Sequence, residues 1–150
     1  SESNWGLIAC WGPMNMSGYW RDEALTEKTF AGGYVHTNDL GYTDETGRVF
    51  LLGRADDVVN VGGRKIAPGE VEEEAKRCPG VADCACVGVP DALSGEALAL
   101  FYEGGHLEEK TLREHLRAAL EPYKLPSRIV WMEALPRTYN GKLDRKKLRQ

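Results

Sequence analysis

A chain of 150 residues with 42% hydrophobic and 28% charged side chains has a globular composition, and 23 acidic against 19 basic residues leave a formal net charge of −4. That balance gives no electrostatic reason to expect nucleic acid or an anionic membrane as a partner, and no apolar run is long enough to span a bilayer. The opening Ser1-Glu2-Ser3-Asn4 lacks the basic-then-apolar form of an export leader, so a cytoplasmic location is expected.

Taken in chain order, the first third reads as β-rich and the remainder as mixed α/β. Residues 6–11 read as a strand stopped by Gly12-Pro13, and Leu40-Gly41-Tyr42 and Val49-Phe50-Leu51-Leu52 flank an Asp44-Glu45-Thr46-Gly47 turn in a hairpin pattern. A second hairpin is predicted over residues 57–66 around Gly62-Gly63, the residue type that tolerates positive φ in a two-residue turn. Pro68 then suits the first turn of a helix, with Val71, Ala75 and Cys78 at helical spacing on one side. Glu70, Glu72, Glu73 and Glu74 fall early in it, where the helix dipole favours anions, and the helix ends near Pro79-Gly80. Strand-like runs follow at 81–89 and 97–102. A helix from about Glu108 carries a stripe of Leu112, Leu116, Ala119 and Leu120 and stops at Pro122, and residues 129–132 read as a last strand.

Helices and strands of this kind close a small α+β module, whereas residues 1 to about 52 have strands with no helix to cover them. The early strands read as the trailing edge of a larger unit, partly exposed and sticky through Trp5, Trp11, Tyr19 and Trp20. Cys10, Cys78, Cys84 and Cys86 lack the paired spacing of a zinc site and the density of a disulfide scaffold, so all four are expected to be reduced core residues. His36, His106 and His115 are scattered among different elements, and no metal site is expected.

Near the end of the chain, Leu135-Pro136-Arg137-Thr138-Tyr139-Asn140-Gly141-Lys142-Leu143-Asp144-Arg145 sets a lysine beside a flexible glycine, which exposes a compact, mobile ammonium suited to phosphate or a developing oxyanion. Alone, a Gly-Lys step is most simply a solvated turn. It stands, however, behind Leu51-Leu52-Gly53-Arg54-Ala55-Asp56-Asp57 and Asn60-Val61-Gly62-Gly63-Arg64-Lys65-Ile66-Ala67-Pro68-Gly69-Glu70, and behind Tyr34-Val35-His36-Thr37-Asn38-Asp39-Leu40-Gly41. In this order these segments resemble the C-terminal end of the adenylate-forming superfamily of acyl-CoA synthetases, peptide-synthetase adenylation domains and firefly luciferase. Gly12-Pro13, Gly18-Tyr19-Trp20, Val87-Gly88-Val89-Pro90-Asp91, Gly95-Glu96 and Tyr123-Lys124-Leu125-Pro126 extend the resemblance over nearly the whole chain.

The resemblance implies a trailing β-rich segment of a large N-terminal domain over 1–55 and a mobile C-terminal domain over 56–150. The latter is an α+β domain with a β-hairpin and a three-stranded sheet packed by helices. It implies that Asp39 binds the ribose hydroxyls of ATP, as two acceptor oxygens suit a vicinal diol, and that Arg54 lies near ribose and phosphate. The simpler readings are a turn aspartate capping its own backbone after Thr37, and a surface ion pair of Arg54 with Asp56 or Asp57. Asn38 replaces the glycine usual before the aspartate, though Asn tolerates unusual backbone angles. Asp56 matches the hinge about which the small domain swings between two working poses. Gly62 and Gly63 resemble the loop past which the CoA pantetheine arm reaches the reaction centre. Lys142 matches the catalytic lysine that touches the acyl carboxylate and the α-phosphate.

The activity so implied is that of an AMP-forming acyl-CoA synthetase using a small carboxylic acid, ATP, Mg2+ and CoA. The family's phosphate loop and acyl pocket are not among these residues, and the chain alone is expected to be inactive. Asn60 leans against the alternative of a peptide or polyketide adenylation domain loading a carrier protein, and Asp39, Arg54 and Lys142 together argue against a noncatalytic binding module. For Arg145, Lys146, Lys147 and Arg149 the reading is a solvated helix face, with attraction of a CoA phosphate as the other possibility.

Overall fold

The computed structural model describes residues 5–149, which leaves the opening Ser1-Glu2-Ser3-Asn4 outside the described residues, and it comprises two compact units, Ser1–Asp56 and Asp57–Gln150. In the first unit, β1 (Gly6–Cys10), β2 (Phe30–Ala31), β3 (Tyr34–Thr43) and β4 (Val49–Arg54) form an antiparallel sheet in which β3 pairs with each of the others. The Asp44 carboxylate organises the β3–β4 turn by accepting from the backbone N–H groups of Thr46 and Arg48 at 2.9 and 3.0 Å. Hydrogen bonds from the Thr46 hydroxyl and from these amides hold its carboxyl below the usual carboxylate range.

Two expectations for this unit are corrected. A short helix, α1 (Glu23–Thr29), stands between β1 and β2, capped by Asp22, whose Oδ1 accepts from the Leu25 N–H at 2.9 Å. None of its residues is buried, so there was no apolar stripe for periodicity to find. Cys10 is exposed and not a core residue. Trp11, Tyr19 and Trp20 are 74%, 40% and 86% exposed, whereas Trp5 is only partly exposed.

The second unit is built on one five-stranded sheet. β5 (Val59–Val61) and β6 (Arg64–Ile66) are the two arms of the Gly62-Gly63 hairpin. The two glycines have φ of +57° and +85°, the pattern of a type I′ turn. Helix α2 (Pro68–Lys76) follows with Pro68 in its first turn. Then β7 (Val81–Asp91) and β8 (Gly95–Gly104) pair along their length, and the Val61↔Gly95 pairing joins the hairpin to β8, so hairpin and three-stranded sheet are continuous. After α3 (Glu109–Ala119) comes β9 (Arg128–Trp131), parallel to β8. α4 (Arg145–Leu148) ends the unit.

Strand periodicity sorts the side chains onto two faces. Cys84, Cys86, Leu98, Leu100 and Tyr102 pack against Val71 and Ala75 of α2 and Leu112 and Leu116 of α3. Ala119 is exposed, which narrows the predicted stripe of α3 to Leu112, Leu116 and the partly buried Leu120. On the other face, Ala85, Val87 and Ala99 are covered by Leu135, Leu143 and Leu148 of the carboxy-terminal tail. That second cover has no helical or strand period of its own, and the sequence reading did not contain it. Burial pushes the Cys84 thiol up to about 12 and the Cys86 thiol well above its ordinary value, so both behave as apolar core groups.

Candidate functional site

Asp39 and Arg54 are directly opposed in the β3–β4 register. Cross-strand partners sit close enough for their side chains to meet, and the Arg54 guanidinium Nη1 donates to Asp39 Oδ1 at 3.1 Å and to the Thr37 carbonyl at 3.3 Å. Thr37 braces the strand from below: its hydroxyl donates to the Ile8 carbonyl at 3.0 Å and accepts from the Asp39 N–H at 3.1 Å. Arg54 therefore pairs with Asp39 and not with Asp56 or Asp57, and Asp39 is a strand residue and not a turn cap. With Asp39 Oδ2 outside this ion pair and the side chain 35% exposed, a carboxylate oxygen remains available to a hydroxyl donor.

Asn38, between Thr37 and Asp39, has φ of +62°, in the left-handed region. Its side-chain amide donates to Asp56 Oδ2 at 2.7 Å. The strand residue next to Asp39 thus grips Asp56 itself. Asn38 and Arg54 also line an open cavity of about 470 Å³ with Lys28 and His36, all within the first unit.

Gly62 and Gly63 occupy the exposed tip of the β5–β6 hairpin, and a Cβ built on either would meet nothing within 4 Å. Within this chain, turn geometry and not crowding calls for glycine there.

Lys142 is exposed on a different hairpin. Arg137 and Leu143 form an antiparallel bridge, the Thr138 N–H donates to the Lys142 carbonyl at 2.7 Å, and the Gly141 N–H donates to the Thr138 carbonyl at 2.9 Å. Gly141 has φ of +81°, completing a three-residue loop of the turn-plus-bulge kind. Arg137, Arg145, Lys147 and Arg149 are all held by carboxylates, whereas Lys142 on the hairpin and Lys146 on α4 have no such partner among the described residues.

The sequence-predicted residues therefore assemble in two groups. Asp39, Arg54 and Asp56 come together with Asn38 in the first unit, while Gly62, Gly63 and Lys142 stand on separate hairpins of the second. The reading of the tail is corrected at one residue: Lys146, Lys147 and Arg149 are exposed, but Arg145 is 26% exposed and bound to Glu72. Glu72 is the one buried charged residue among the described residues, and the sequence reading missed it. A signal existed, because Glu72 falls three residues before Ala75, on the border of the Val71, Ala75 and Cys78 stripe. No group of three or more His, Cys, Asp or Glu side chains among the described residues is placed to hold a metal ion.

Residues 70–142 match the family described as the AMP-binding enzyme C-terminal domain. The chain is 36% identical over 141 residues to a human mitochondrial acyl-coenzyme A synthetase, covering 88% of this chain and 24% of that protein. It is 36% identical over 146 residues to a 2-succinylbenzoate–CoA ligase of Bacillus cereus, covering 97% of this chain and 30% of that protein. Among solved structures, an amide bond synthetase from Marinactinospora thermotolerans superposes with a TM-score of 0.91 at 34% identity, over 99% of this chain and 31% of that one. The chain thus spans less than a third of the length of each of these proteins.

Proposed function

Since the chain belongs to the adenylate-forming enzymes and residues 70–142 are their C-terminal domain, we propose that it is the carboxy-terminal part of an AMP-forming acyl-CoA synthetase. In this reading the carboxylate of a small acid attacks the α-phosphorus of ATP, pyrophosphate departs, and an acyl-adenylate forms. The CoA thiolate then attacks the acyl carbon and AMP leaves. The observation that carries the reading is Lys142: an exposed ammonium without a carboxylate partner among the described residues, held by a braced hairpin whose flanking Arg137 and Arg145 are both paired. Such a group stabilises negative charge that develops between the attacking carboxylate and the α-phosphate.

Asp39 supplies an acceptor for the ribose diol, and Arg54 keeps that carboxylate aligned while lending its own charge near the phosphates. Asp56 is the hinge of the domain swing, and the Gly62-Gly63 tip gives the pantetheine arm close passage over backbone without side chains. Magnesium belongs with the ATP phosphates, since the described residues offer it no acidic cluster. The phosphate loop and acyl pocket are not in this sequence, so the isolated chain is inactive in this reading. Four free cysteines suit a reducing compartment, and we place the enzyme in the cytoplasm.

The test uses the whole enzyme with ATP and a panel of carboxylic acids, following pyrophosphate release and CoA thioester formation separately. Acid-dependent pyrophosphate release followed by a CoA thioester is the expected result. Thioester formation only on a carrier protein, or no acid-dependent release with any acid, contradicts it.

A further inference from the structure

The tail that carries Lys142 is fastened on both sides of it. Five residues before, the Arg137 guanidinium Nη2 donates to Asp83 Oδ2 at 2.8 Å and to Glu103 Oε1 at 3.0 Å. Three residues after, Arg145 reaches deeper. Both of its terminal nitrogens donate to the Glu72 carboxylate, with Nη2 to Oε2 at 2.9 Å, and Nη1 also donates to the Cys86 carbonyl at 3.0 Å. Glu72 Oε1 in turn accepts from the Cys86 N–H at 2.7 Å, so helix α2, strand β7 and the tail meet at one carboxylate. The Arg145 Nε lies 3.6 Å from Asp57 Oδ2, and Arg149 Nη2 donates to Asp57 Oδ1 at 2.7 Å. Asp57 directly follows Asp56.

A buried ion pair is weak support for stability, because an apolar pair of the same shape often does as well or better; its clearer use is in fixing one geometry out of several. The apolar side of the tail is already served by Leu135, Leu143 and Leu148. What the guanidinium adds is direction. It has planar, two-pronged donors where an ammonium is a point charge, and it sets the angle at which the hairpin leaves the sheet. The hydrogen bonds that Arg145 donates to Glu72 raise its pKa further above its ordinary value against the opposing effect of burial, so the grip persists across the working pH range.

We propose that Arg145 is the positioning residue of Lys142: gripping Glu72 and Asp57, it locks the lysine hairpin to α2 and to the residue after the hinge position. The lysine is then carried to the nucleotide as a rigid part of the second unit. This rests on the reading of Lys142 given above.

The experiment compares Lys142→Ala, Arg145→Ala, Arg145→Lys and the double Ala variant in the whole enzyme. Adenylate formation from acid and ATP, and thioester formation from pre-made acyl-adenylate, are measured apart. Misplacing a reacting group by about 1 Å costs up to about 100-fold in rate. Arg145→Ala is therefore expected to lower kcat for adenylation at least about tenfold, with KM for ATP within about twofold and thioester formation spared. The double variant should be no slower in adenylation than Lys142→Ala, and Arg145→Lys should recover part of the loss. Should Arg145→Ala not fold, Glu72→Gln loosens the same grip and should show the same pattern. Multiplying losses in the double variant, or equal loss in both half-reactions, overturns the positioning role while leaving Lys142 in place. An unimpaired Lys142→Ala enzyme removes the reading of Lys142 and this proposal with it.

Discussion

Asn38 is where a single side chain does two things at once. Its backbone takes φ of +62°, which costs a residue with a Cβ on the order of 1 kcal/mol, and Asn less than most. Its amide spends that conformation on a 2.7 Å bond to Asp56. The substitution of Asn for the usual glycine was legible in the sequence, as was the tolerance of Asn for this backbone. The bond to Asp56 was not, because an 18-residue separation across a hairpin leaves no local signal. The two effects are separable by substitution. Asn38→Gly should leave stability within about 1 kcal/mol of the parent, whereas Asn38→Ala, which keeps the Cβ and loses the amide, should cost about 1 kcal/mol or more. Equilibrium denaturation of the two variants checks the order, and a more stable Ala variant contradicts it. Asp39 and Arg54 were readable as a pair of roles, but their strand register, which makes them each other's partner, depended on a bulge at Leu40/Gly41 that no residue announces.

At the scale of elements, the strands and the two longer helices followed from periodicity, since Cys84, Cys86, Leu98, Leu100, Leu112 and Leu116 are all buried on one side. The helix α1 and the tail escaped because neither carries an apolar period: α1 buries nothing, and the tail covers the sheet with Leu135, Leu143 and Leu148 at irregular intervals. Charge fastens what periodicity does not. Asp83 on β7 binds Lys76 of α2 at 2.9 Å and Arg137 of the tail at 2.8 Å. Burial opposes its charge, yet the bonds from Lys76 and Arg137 prevail and hold its carboxyl below the ordinary value of 3.8. A depressed folded-state pKa means the contribution to stability is complete above the unfolded value and is lost as pH falls through the folded value. The parent should therefore lose on the order of 1 kcal/mol more than Asp83→Asn between about pH 5 and pH 2. Denaturation midpoints of both across that range test this, and parallel curves would exclude the linkage.

For the whole molecule, the division at Asp56 separates a unit that offers Asp39 and Arg54 from one that offers Lys142 and the glycine hairpin. In the proposed reaction neither unit has a complete set of groups, so activity depends on bringing the second to nucleotide bound largely by the first and by the remainder of the enzyme. That dependence was expected from what the family resemblance implies; the fastening of the lysine hairpin by Arg137 and Arg145 was not, because it joins residues 54 and 73 positions apart. The most direct measurement is the rate of each half-reaction in the whole enzyme carrying Lys142→Ala. Adenylate formation from acid and ATP should fall by about 100-fold or more, while thioester formation from supplied acyl-adenylate stays close to the parent rate. Equal loss in both half-reactions, or none in the first, would contradict the delivery of Lys142 to the adenylation centre.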